Sequence, residues 1–105
     1  MLKIARNPEF THEVTVRVPV DGGFADQKFK ARYRMVPWND LGAIENDPES
    51  QARMVLIGWE GIVDDEEQPI PYSDAMRDQL LGMLFMRVAI LRVYVDAVAG
   101  AKRGN

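Results

Sequence analysis

One histidine, four consecutive carboxylates and a glycine pair are the residues of this 105-residue chain whose types could form a chemical site. His12 stands at the start of an alternating apolar-polar stretch, with no cysteine in the chain and no evident serine partner. A nucleophilic triad or a zinc site needs further groups converging on the imidazole, so a surface histidine is the reading it supports. The carboxylates of Asp64-Asp65-Glu66-Glu67 are adjacent and therefore diverge. They lack the spaced oxygen ligands, central glycine and terminal Glu of a calcium loop, which leaves a solvated acidic loop. Gly22-Gly23 lacks the flanking glycines, the Lys-Ser/Thr pair and the following helix of a phosphate loop. Without cysteine there is no thiolate nucleophile, thiolate metal site or disulfide scaffold. Neither catalysis nor a metal or cofactor is expected from these residues.

Two further sets have the chemistry of contact. Lys28, Lys30, Arg32 and Arg34 recur at every second position, which places four cations on one face of a strand. One reading is the solvated outer face that half-buried strands normally carry. The other is a docking face for an acidic segment of a partner, of a second copy, or of the chain's own 64–67 run. In Gly58-Trp59-Glu60-Gly61 a large aromatic lies between two glycines. That pattern predicts a helix that stops, with Gly58 or Gly61 in the left-handed conformation and Trp59 buried as a structural anchor.

These residues must be positioned by a small set of elements. Val14, Val16, Val18 and Val20 alternate with polar residues, and Phe29, Ala31, Tyr33 and Met35 alternate with the four cations. Two such runs joined by a Gly-containing connection predict an antiparallel hairpin over 11–36. Pro19 suits an edge strand. Pairing Val18 with Phe29 sets Glu13 against Arg34, and the apolar face selects registers of this parity. A two-stranded ribbon is marginal alone and must pack on something.

Short helices are expected over 38–61. Trp38, Leu41 and Ile44 recur at spacing three, with Asn39 or Asp40 as a cap. A second helix from about Pro48 to Gly58 starts with Asp47 as N-cap, Pro48 in the first position and Glu49 in the first turn. After an acidic loop over 64–72, Ser73 caps a helix running to about Ala99, roughly 39 Å long at 1.5 Å per residue. Its apolar residues, among them Met76, Leu80, Leu84, Phe85, Val88, Leu91, Val95 and Val98, cover more than one face. Either two elements sandwich this helix or another subunit covers part of it. The fold class is α+β: one antiparallel hairpin packed on two or three helices in a single domain, 1–105.

At 47% hydrophobic residues the chain can form one modest core. Its net charge of -3 argues against nucleic acid as a partner, because neutralising phosphates requires a cationic surplus. The first residues hold no apolar run of signal-peptide length, so no secretion signal is expected. The apolar stretch 80–98 is interrupted by Arg87, Arg92 and Asp96, which would be costly in a bilayer, so no membrane span is expected.

The order of hairpin, short helices, Gly58-Trp59-Glu60-Gly61-Ile62-Val63, a carboxylate-rich loop, Pro69-Ile70-Pro71-Tyr72-Ser73 and an apolar helix resembles the small tail assembly chaperones of long-tailed bacteriophages and prophages. The similarity runs from about Val14 to Val98, and its most specific part is Trp59 to Ser73. One departure is the loop Asp-Asp-Glu-Glu-Gln, which lacks the glycine expected after the acids. The resemblance implies a non-catalytic protein of the bacterial host cytoplasm. It would bind the tape measure protein, and with it tail tube subunits, during tail assembly. The alternative it leaves open is a structural head-tail or tail component retained in the particle. A homo-oligomer held by the C-terminal helix is expected, with Phe85, Leu91 and Tyr94 as contact residues and Arg87 and Arg92 at the rim.

Overall fold

Alternation drives two twelve-residue strands, β1 (Glu9–Val20) and β2 (Gly23–Arg34), into the expected antiparallel hairpin. The computed structural model describes residues 1–42 and 47–100, without the side chain of Trp38. The connection is shorter than the sequence suggests. Val20 pairs with Gly23 across the two residues Asp21-Gly22, and Gly22 takes a positive φ of 78°, which glycine adopts without steric cost. The tight turn moves the register: Phe29 pairs with Val14 instead of Val18, and Arg34 with Glu9 instead of Glu13. Parity is unchanged, so Val14, Val16, Phe29, Ala31 and Tyr33 are buried on one face while the cations line the other.

After α1 (Trp38–Gly42), in which Leu41 is buried, the chain enters α2 (Pro48–Val55). Ile44, the third residue of the expected apolar triplet, lies outside the described residues. The start of α2 follows the sequence: Asp47 accepts from the Ser50 amide at 3.3 Å and Pro48 opens the helix, as a cap and a first-turn proline should. Its end does not. The helix stops at Val55, and Leu56–Glu60 forms strand β3, antiparallel to β2, where short helices were expected through 61. β2 thereby becomes the central strand of a sheet ordered β1-β2-β3, and Pro19 lies on an edge. A third strand supplies the packing that a lone ribbon lacks. Arg32 pairs with Gly58 and Tyr33 with Leu56, which leaves Ile57 as the extra residue of a bulge.

The expected single helix from Ser73 is two helices, α3 (Asp74–Leu81) and α4 (Leu84–Ala99). Ser73 caps α3 as anticipated, its hydroxyl accepting from the Met76 amide at 3.1 Å. Gly82 still has helical angles, but Met83 is extended, with φ -93° and ψ 123°. Glycine is a weak helix former, and the break lets Leu81 enter the core while α4 turns to lie against β1. α4 ends at Gly100 in the left-handed conformation, φ 69°, the usual helix stop. The basic tail beyond it lies outside the described residues. The core sits between the sheet and the helices. Tyr33, Leu56, Leu81, Ile90, Val14 and Val55 are its largest fully buried side chains. The α+β class, with a hairpin and a long C-terminal helix, stands as read from the sequence.

Candidate functional site

Two glycines and Trp59 were expected to end a helix; they serve a strand instead. Gly58 lies opposite Arg32, and a Cβ there would stand 3.3 Å from the Arg32 Cβ. So close a cross-strand approach favours glycine. Gly61 does take a left-handed φ, 88°, but it terminates β3. Trp59 is half-buried where full burial was expected, because its strand lies at the sheet edge. Its indole N–H donates to the Ile70 carbonyl at 2.8 Å, and its ring meets Tyr72 edge-on at 4.9 Å. An aromatic pair of that geometry adds to the area it buries. The element therefore clasps the returning loop onto the sheet.

That loop is ordered by Asp64. Its carboxylate accepts the Glu66 and Gln68 amides at 2.8 and 2.9 Å, and Val63 bridges Pro69. A short acidic side chain commonly closes a turn in this way. Glu67 has φ 61°, a left-handed backbone that a glycine would adopt more readily. Beyond the loop the Tyr72 hydroxyl donates to Asp74 at 3.0 Å and receives Arg77 at 3.3 Å. Burial, reinforced by Asp74, raises the Tyr72 pKa, which makes it a poor proton donor near neutrality. His12 is exposed, its Nδ1 3.0 Å from the Glu13 carbonyl. Among the described residues no three His, Cys, Asp or Glu side chains are arranged to hold a metal ion.

The four cations of β2 are not a bare basic face. Glu9, Thr11, Glu13 and Thr15 of β1 stand across from them. Arg32 lies 3.3 Å from Glu9, Lys28 lies 3.8 Å from Glu13, and Arg34 donates to the Met54 carbonyl at 2.7 Å. Lys30 stands in register with Glu13 and Glu60. Such exposed pairs contribute little stability, but they balance the charge that a docked acidic segment would need. Among the described residues the 64–67 run forms no ion pair with them.

α4 presents the surface least accounted for. Its inner face, with Met86, Ile90, Val93 and Tyr94, is buried. Tyr94, expected at an interface, is a core residue: it is 2% exposed, its hydroxyl accepts the Val36 amide at 3.0 Å, and its ring lies 5.6 Å from that of Tyr33. Phe85 is half-buried against the core and lines an apolar groove of about 250 Å³ with Val16, Val18, Phe29, Ile62 and Leu80. Opposite the core runs a second apolar stripe. Leu84, Val88, Val95 and Val98 are 66, 43, 48 and 39% exposed, and Leu91 between them is half-buried with part of its side chain against the core. Of the residues proposed for an interface, Leu91 alone lies on this stripe, with Arg87 and Arg92 beside it. Leu84, Val88, Val95 and Val98 were legible only as surplus apolar residues. Together with Leu91 they step by four, three, four and three, the signal that could have singled them out.

Among the described residues no helix is long and apolar enough to cross a membrane. No curated protein and no solved structure matches the chain. A family model described as YdaY prophage protein matches residues 39–103, which contain the Trp59 clasp and all of α4. That match spans more than half of the sequence, and the chain belongs to the YdaY prophage protein family.

Proposed function

We propose that this prophage protein is a non-catalytic tail assembly chaperone that acts in the bacterial cytoplasm, binding the tape measure protein and with it tail tube subunits while the tail is built. The observation that carries the reading is the outer stripe of α4, a solvent-facing apolar surface on a helix whose other face already fills the core. Such a surface suits a protein whose task is to cover an apolar client. The order of hairpin, Trp59 clasp, acidic loop and apolar helix supports the same reading through its likeness to tail assembly chaperones.

Co-expression with the tape measure protein encoded by the same prophage tests it. The expected result is a soluble complex that co-purifies, and mature particles that lack this chain by mass spectrometry. A tape measure protein that stays insoluble and never co-purifies would overturn the proposal. Stoichiometric recovery of the chain from particles would favour a retained structural component.

A further inference from the structure

The stripe on α4 carries a description of what covers it. Leu84, Val88, Leu91, Val95 and Val98 step by four and three, the repeat of a two-helix seam, along about 21 Å of helix. An occupant that fills such a seam is itself a helix with apolar residues at the same repeat. The charged residues flanking the seam are Arg87 on one side and Arg92 on the other. Among the described residues neither has an ion-pair partner, and the buried Nε of Arg87 has no acceptor.

These cations discriminate between occupants. A second copy paired in parallel would place Arg87 against Arg92 across the seam, and an antiparallel copy centred on Leu91 would bring Arg92 against its counterpart. Asp96, the one carboxylate of α4, lies outside the flanking positions. A second copy therefore meets like charge where a partner with acids at those positions meets opposite charge.

We propose that the outer stripe of α4 is a docking site for a single helix of a partner protein, apolar at four-three spacing and flanked by Asp or Glu that pair with Arg87 and Arg92. The inference deepens the protein-binding reading above and rests on it for the claim that the surface serves a client. Seam residues supply affinity, and the two arginines select the partner and its orientation.

The test uses the full chain and two synthetic helices of about four heptads, identical at the leucine seam and carrying Glu or Lys at the flanking positions. Fluorescence anisotropy at low salt should show the Glu helix binding at least about tenfold tighter, with the preference shrinking as salt is added. Arg87→Glu with Arg92→Glu should reverse the preference. Because Arg87 is half-buried, Arg92→Glu alone, at an exposed site, must also narrow it. Val88→Asp with Val95→Asp, both exposed, should abolish binding while the thermal melt stays unchanged. Equal binding of the two helices, no binding of either, or a parent dimer made monomeric by Val88→Asp and Val95→Asp would overturn the inference. If the tape measure protein co-purifies regardless of those two substitutions, the chaperone reading stands and this site falls. If the Glu helix binds and the tape measure protein does not, the site stands without that client.

Discussion

Replacing Tyr94 by Phe removes one oxygen and leaves a core amide without its acceptor. The Tyr94 hydroxyl accepts the backbone amide of Val36 at 3.0 Å, and Val36 is 8% exposed. Phe keeps the ring in place against Tyr33, 5.6 Å away, and Phe10, 6.2 Å away, so no cavity term enters. What is lost is the acceptor for that amide, in a place water scarcely reaches. A buried donor left without a partner costs roughly 1–3 kcal/mol, and the slight exposure of Val36 argues for roughly 1–2 kcal/mol. For a domain of this size that lowers Tm by roughly 5–12 °C. Urea unfolding should report it as a lower midpoint with an unchanged slope, since the same surface is exposed on unfolding. The effect should not depend on protein concentration. A Tyr94→Phe midpoint equal to the parent's, or a loss that disappears as the protein is diluted, would refute the core assignment and restore Tyr94 to an interface.

Trp59→Ala should destabilise by roughly 2–3 kcal/mol, less than a fully buried tryptophan would cost. Trp59→Phe should retain part of that by keeping a ring against Tyr72, and chemical denaturation measures both. Glu67 holds a φ of 61°. Glu67→Gly should stabilise by roughly 0.5–1 kcal/mol, because glycine adopts that backbone without the strain an L side chain carries; a lower Tm for this variant would contradict the loop geometry. Burial raises the Tyr33 pKa above the ordinary tyrosine range, its hydroxyl donating to the Ile90 carbonyl at 2.8 Å. The unfolded chain releases that proton near the ordinary value of about pH 10 while the native state keeps it. This stability is therefore complete below about pH 10 and falls by about 1.4 kcal/mol per pH unit above it. Tyr33→Phe should flatten that alkaline slope in a series of urea melts, leaving the smaller contribution of Tyr72.

The sequence by itself determined whatever depends on neighbours along the chain. The valine and aromatic alternation specified the hairpin and which face is apolar, because side chains alternate across a strand whatever its partner. Asp47-Pro48 and Ser73 marked helix starts, because a cap is satisfied within three residues. The surplus of apolar residues after position 80 pointed to a surface in need of cover. Tertiary structure decided the rest. The register followed from a two-residue turn, which parity cannot fix. Leu56–Glu60 became a strand because the open edge of β2 supplied hydrogen bonds that no local signal announces. The helix after Ser73 broke at Met83 because core packing directs Leu81 inward and α4 along β1, a choice between near-equal local conformations that only long-range contacts settle. The same contacts sorted the apolar residues of α4, sending Tyr94 into the core and leaving Leu84, Val88, Val95 and Val98 outside, since a helix apolar all round does not state which face meets the sheet.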